Sequence, residues 1–285
     1  MRRVLSLVKT RFRGRSNQDV FTYRQLQAKL ARVPRYKPGF VTAGRWKLNY
    51  LDATSLLSAF DVVVVKRWND FPCDKKNPVI LDCGANIGIS AIHYKDLFPD
   101  AVITSFEPDP RACDLLRQNL VMNDIHDVDV VEKALWRNNG HSSFFSEGAD
   151  ASRVVFEHDA VKQLTTLTPS AKQCGVETVR LADYLSRGKF DFVKLDIESA
   201  EAEVIVDCGD TLRNINSLII EFHLTNSKPR DLARTLLTLA DQKFQVSVCS
   251  YGPWVDLLHK TSGSPNEKVE FDQYLLISAW RSDGR

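Results

Sequence analysis

Residues 79–108, VILDCGANIGISAIHYKDLFPDAVITSFEP, decide how this chain folds. Val79–Cys83 is a short apolar run of strand length. Ile87, Ser90, Ala91 and Tyr94 then recur at helical spacing, and the small residues among them suit a helix lying close on a sheet. Residues 101–106 form a second apolar strand. Between the first strand and the helix stands a glycine-containing loop, Gly84-Ala85-Asn86-Ile87-Gly88, and an acid, Glu107, follows the second strand.

Working outward, the same alternation continues. Ala112, Leu115, Leu116 and Leu120 mark a helix, and Val128–Val131 a third strand. Residues 140–175 break the rhythm: Phe144 and Phe145, then residues 154–156, read as edge strands around a loop that serves either as a lid over the substrate or as a surface excursion. Residues 191–195 form a strand, followed by a helix with Ala202, Ile205 and Val206 inward and Gly209 as its stop. A strand at 218–222 and a helix with Leu232, Ala233, Leu236, Leu237 and Ala240 inward come next. Residues 244–248 and 274–278 close the sheet as a hairpin-like pair. The pattern predicts an α/β fold, Rossmann-like, with a doubly wound and mostly parallel sheet, a C-terminal antiparallel hairpin and a basic N-terminal extension. In that extension one helical stretch, residues 23–32, precedes the breakers Pro34, Pro38 and Gly39, and residues 50–68 look structured up to the Val62-Val63-Val64-Val65 run. The proline-bounded linker 72–78 divides residues 1–77, extension and lead-in, from a core domain over 78–285.

The loop after the first strand lies where open α/β sheets bind ligands, outside the carboxyl ends of the strands. Gly84 is expected to let the backbone approach a ligand with no Cβ in the way, and Gly88 to allow close helix–strand packing. Glu107 is placed to accept hydrogen bonds from the two ribose hydroxyls of a nucleoside. A dinucleotide fits poorly. Its fingerprint wants G-x-G-x-x-G to cradle a pyrophosphate, whereas here Asp82 stands just ahead of Gly84 and would repel one. That carboxylate suits the cationic amino group of S-adenosylmethionine.

These stretches resemble the FkbM-type methyltransferases. The likeness is carried by residues 81–88 (LDCGANIG), 106–108 (FEP), 192–201 (FVKLDIESAE) and 219–223 (IIEFH), and it covers roughly residues 79–223. It implies a class I methyltransferase that uses S-adenosylmethionine, usually on a hydroxyl of a sugar or natural product. By the resemblance Gly84, Ala85 and Asn86 line the methionine part of the cofactor, Glu107 holds the ribose, Ala134 and Leu135 flank the adenine, and Asp196 closes the site near the reacting methyl. The family commonly has Gly where this chain has Ser199, which puts local geometry and substrate fit at issue.

Asp196 and Glu198 sit at a strand's carboxyl end, on the ligand side of the sheet, and are candidate catalytic groups together with His223 as base. Glu201 and Glu203, near a helix start, are expected only to favour the macrodipole. A hard divalent ion held by Asp196, Glu221 and His223 is conceivable, but the ligand set is too loosely indicated and no metal is assigned.

Six scattered cysteines form no CxxC pair, which argues against a zinc site and suits reduced thiols in the cytoplasm. The first nine residues lack the apolar length and cleavage site of a secretory leader. The net charge of +2 hides an asymmetry: residues 1–47 carry 13 Lys/Arg and one acid, Asp19, while the remainder carries 25 bases and 35 acids. The basic head is either a solvated arm, or a helical cap folding against the acidic body, or a contact for an anionic membrane surface or polyanion, so that a cytoplasmic protein would sit peripherally at the membrane. The expected partner of the site is a small-molecule or glycan acceptor. Two alternatives remain: an RNA or other nucleic-acid methyltransferase using the basic head, and a non-catalytic binding module on the same fold. The first lacks the Asn/Asp-Pro-Pro-aromatic turn of base-modifying enzymes, since Asp196-Ile197-Glu198-Ser199 stands in its place.

Overall fold

The computed structural model describes residues 16–146, 153–155, 172–224, 230–251 and 273–281. Most of the segment expected as a lid or excursion, with Phe156, lies outside these residues, as do six of the thirteen bases of the head.

Strand β3 (Val79–Cys83) is followed by helix α3 (Ile89–Leu97), strand β4 (Val102–Phe106), helix α4 (Pro110–Met122) and strand β5 (Val128–Val131). Asp109 caps α4 by accepting from Arg111 N, and Pro110 fits its first turn, where no intrahelical N–H is missed. After β6 (Ala134–Leu135) a small sheet forms from β6, β7 (Gly140–Ser146), β8 (Arg153–Val155) and β9 (Lys172–Val179). The main sheet resumes with β10 (Phe190–Leu195) and β11 (Ile215–Leu224), flanked by helices α5 (Leu181–Leu185), α6 (Glu201–Cys208) and α7 (Arg230–Asp241). It ends with β12 (Gln245–Tyr251) and β13 (Gln273–Trp280).

The seven strands run in the order β12-β13-β11-β10-β3-β4-β5. The stretch from β11 to β5 is parallel, and β13 pairs antiparallel with both β11 and β12. The doubly wound sheet and its antiparallel C-terminal pair are therefore as expected. Successive side chains of the central strands go to opposite faces. Leu81, Val193 and Ile220 pack with Ala202, Ile205 and Leu239. Their neighbours Ile80, Phe192 and Ile219 pack with Phe71 and Tyr94. Both faces are covered, which is why these strands read as continuous apolar runs. The chain leaves β3 towards β4 and later returns beside β3 as β10, so the topological switch point lies between those two strands.

Before the core, helix α1 (Asn17–Leu30) starts at a Ser16 cap, six residues ahead of the expected stretch. A hairpin unforeseen in the sequence follows, β1 (Gly39–Ala43) with β2 (Trp46–Tyr50), although Val41, Ala43, Trp46, Leu48 and Tyr50 alternate inward as strands require. Helix α2 (Ala53–Phe60) then runs into a π-helical turn, Asp61–Val65. These elements share one apolar cluster with Ala85, Ile87, Ile92, Leu116 and Leu120 of the core. Buried Asn119 fastens them: it accepts from Asn49 N and donates to the carbonyls of Asn49 and Ile87. Of the described bases, Arg35 pairs with Asp52 and Arg45 with Asp96. Among the described residues no helix is long and apolar enough to cross a membrane, and Cys73, Cys83, Cys113, Cys208 and Cys249 are free thiols.

Candidate active site at the switch point

The loop between β3 and α3 turns back on β4. Gly84 N and Ala85 N both donate to the Phe106 carbonyl at 2.9 Å. Gly84 has φ 82°, and a Cβ there would overlap the carbonyl oxygen of Asp196. The glycine is required by the end of β10 pressing on the loop, a reason the sequence did not offer, and it also lines the cavity. Gly88, at φ 93°, likewise meets Leu116 of α4 rather than a strand, and it does not line the cavity.

That cavity, about 820 Å³, opens over the carboxyl ends of the central strands and is of ordinary size for a small-molecule site. Gly84, Ala85, Asn86, Glu107, Ala134 and Leu135 line one half, and Asp196, Glu198, Glu221 and His223 the other. Two expected site residues are elsewhere. Asp82 is completely buried beneath the loop, where Ser90 Oγ donates to it at 2.6 Å and Lys194 lies 3.7 Å away. It reaches no ligand directly, and its other contribution is to hold Lys194. Gly88 serves packing alone.

Glu107 accepts from Asn86 N through Oε2 and from Asp109 N through Oε1, each at 2.8 Å. Each oxygen has a further lone pair for a donor in the cavity. Burial pushes the carboxyl up to about 7, against the pull of those two N–H groups.

The acidic half is built by three elements. Lys194, in the apolar strand β10, donates to Gly84 O at 2.8 Å and lies 3.3 Å from Asp196 Oδ2. Burial opposes its charge, yet Asp196, Asp82 and Glu221 outweigh burial and hold its pKa above the usual lysine value. Beyond Asp196 the backbone turns left-handed at Glu198 (φ 56°) and Ser199 (φ 76°). Glycine adopts this conformation freely and other residues adopt it at a cost, so the Ser199 departure places a side chain on a strained position.

Glu201 corrects the sequence reading. It stands in the first turn of α6 as expected, but as a buried clamp, 1% exposed. Its Oε1 accepts from Ile197 N at 3.2 Å and Ser199 N at 3.1 Å, and lies 3.0 Å from His223 Nδ1. Glu203 does behave as a surface group, pairing with Arg137 and Arg234. On its other side His223 Nε2 lies 3.3 Å from Glu198 Oε2. Burial pushes Glu198 up, and Asp196, Glu201 and Glu221 add to that. Burial works against a charged His223, but Glu198 and Glu201 raise its pKa well above the ordinary imidazole range. The Glu198–His223 pair thus keeps a shared proton to higher pH than either group would alone.

Sequence reasoning missed three contributors. Lys194 was signalled only as a lysine inside an apolar strand. Glu201 had no signal beyond its motif. The third is the wall made by the N-terminal elements, where Leu51, Asp52, Ser55, Val62, Lys66 and Trp68 among others face the cavity. Asp52 caps α2 and accepts from Tyr36 N and Arg35, bonds that outweigh its burial and lower its pKa.

The family model described as methyltransferase FkbM domain matches residues 82–246. The chain belongs to that family. Its methyl donor is accordingly S-adenosylmethionine, and the lining is compatible with it: the cavity offers the carboxylate of Glu107, an apolar step at Ala134 and Leu135, and the carboxylates of Asp196, Glu198 and Glu221. The chain is 30% identical over 159 residues to 2-O-methyltransferase NoeI of Sinorhizobium fredii, covering 52% of this chain and 65% of that protein. It is 32% identical over 154 residues to methyltransferase sdnD of Sordaria araneosa, covering 45% and 60%. The match thus spans less than two thirds of each of these two relatives. Among solved structures, the methyltransferase FkbM of Methylobacillus flagellatus aligns with TM-score 0.45 and 12% identity over 91% of this chain and 59% of that one.

Proposed function

We propose that this chain methylates a hydroxyl oxygen of a sugar, glycan or natural product. One observation carries the reading: the cavity is lined by seven acids (Asp52, Asp61, Glu107, Asp109, Asp196, Glu198, Glu221) against three lysines (Lys66, Lys133, Lys194). Such a lining repels a phosphodiester and accepts hydrogen bonds from the hydroxyls of a neutral polyol. The relative NoeI is named a 2-O-methyltransferase, which points the same way.

In this reading residues 84–86, Glu107, Ala134 and Leu135 hold the nucleoside and methionine parts of the donor. The donor, when bound, supplies an activated methyl on a good leaving group. Asp196 orients the acceptor hydroxyl, and Glu198 takes its proton, with His223 and Glu201 holding Glu198 in place. Alignment alone offsets roughly 7–11 kcal/mol of a barrier, and a positioned base adds a factor of about 10²–10⁴. The basic head, in a cytoplasmic setting, would bring the enzyme to an anionic surface on which such acceptors are made or carried.

Turnover of methyl-labelled donor against neutral oligosaccharides, small polyols and RNA tests this. Label is expected in an alkali-stable ether of a polyol. Label in RNA, or donor binding without transfer to any acceptor, would overturn it.

A further inference from the structure

We propose that Asp196, Glu221 and His223 form a binding site for one divalent cation of the Mg²⁺/Mn²⁺ class. One ligand atom from each lies within 4.8 Å of the others. Glu221 and His223 are two apart on β11 and so share a face of the sheet, and Asp196 directly follows the adjacent parallel strand β10. A cation with bonds of about 2.1 Å separates its ligand atoms by at most about 4.2 Å, so small side-chain rotations close the triad.

A second observation comes from behind the histidine. Glu201 already accepts from two backbone N–H groups and is buried, so it is an acceptor for His223 Nδ1–H. With Glu201 as that acceptor, a neutral His223 would carry its Nε2 lone pair towards the cavity, the carboxylate–histidine arrangement that orients metal ligands, and the ion would take the place of the proton that Nε2 shares with Glu198. Charge adds a third. Asp196, Glu198 and Glu221 line this half of the cavity, where the facing cations are Lys194 and His223. A further positive charge relieves that excess. Lys194 lies by Asp196 Oδ2, and the carboxylate's second oxygen is compatible with an ion. Two carboxylates and one imidazole, without thiolate, select a hard cation. Glu198, which pairs with Nε2 in the ion-free protein, would turn towards the cavity when the ion takes that nitrogen. There the cation's remaining positions would take an acceptor's oxygens, a role that rests on the methyl-transfer reading, whereas cation binding itself does not.

Mn²⁺ titration of the full chain, followed by the electron paramagnetic resonance of the free ion, tests the site. One Mn²⁺ per chain is expected, with Glu221→Gln and His223→Gln each weakening it by more than about tenfold. Glu203→Gln should change it by less than about threefold, because Glu203 pairs with Arg137 and Arg234 at the surface, away from the triad. Melting and S-adenosylhomocysteine binding establish that each variant is folded, and Asp196→Asn replaces any that is not. No Mn²⁺ uptake, several loosely held ions, or equal losses in all three variants would overturn the proposal. Since uptake is read without turnover, failure of methyl transfer and failure of the cation site show separately.

Discussion

The two halves of the cavity are built on different principles. The half beneath β3 and β4 is made by backbone: Gly84 N and Ala85 N close on the Phe106 carbonyl, and two N–H groups position Glu107. The half beneath β10 and β11 is made by side chains, with Glu201 of α6 gathering the loop at 197–199 and His223 of β11 around a single carboxylate oxygen. Where backbone builds the site, glycine occupies the positive-φ positions at its two ends, with Asn86 between them. Where side chains build it, Glu198 and Ser199 hold positive φ, and the clamp stabilises what the backbone alone disfavours. A constraint on backbone leaves a mark in the sequence, whereas a convergence of side chains from three elements leaves almost none.

Substituting Gly84 should erase the distinction, because that residue touches both halves. In Gly84→Val the new Cβ would occupy the space of the Asp196 carbonyl at a φ that valine avoids. A loss of about 4 kcal/mol or more is expected, read as a fall in melting temperature on the order of 10 °C with loss of cofactor binding. Unchanged calorimetric affinity for S-adenosylhomocysteine would remove the contact from the site.

Glu107 sharpens the comparison by acting on the backbone-built half alone. Its carboxyl is raised from 4.5 to about 7. The stability it contributes is therefore present in full below pH 4.5 and lost as pH rises through about 7. Ribose hydroxyls donate best to the ionised form, so S-adenosylhomocysteine affinity should rise between about pH 6 and 8, where that carboxyl titrates. Glu107→Gln should weaken binding by more than about tenfold and flatten that profile. A profile unchanged in the variant would place the ribose elsewhere.

The smallest effect belongs to the side-chain-built half. Ser199→Gly relieves a left-handed serine at φ 76°, and strain relief of about 1 kcal/mol outweighs the added freedom of the unfolded chain by a few tenths. A rise in melting temperature of about 1–2 °C is expected. A fall would mean that the serine side chain is held by contacts worth more than the strain.

The alternation of apolar runs made the doubly wound sheet legible, and the β13 insertion beside β11 agreed with the expected terminal pair. Gly84, Gly88 and Glu107 were equally legible as positions, though the packing partner of Gly88 was misread and that of Gly84 was not foreseen. The end of β10 and helix α4, elements distant in sequence, are what their missing Cβ atoms admit. Asp82 was assigned to the ligand because proximity in sequence to a loop says nothing of depth, and it lies wholly beneath.

Sequence alone determined the strand–helix order of the core, the glycine loop at the end of its first strand and the family, since each rests on local periodicity or on a short unbroken motif. Tertiary structure decided the rest: that Glu201 is buried against His223, that Lys194 faces Asp196, and that residues 51–69 wall the cavity. The division follows from range. Hydrophobic period and backbone conformation act within a few neighbouring residues, whereas charge and burial depend on which distant elements the folded sheet brings within a few ångströms.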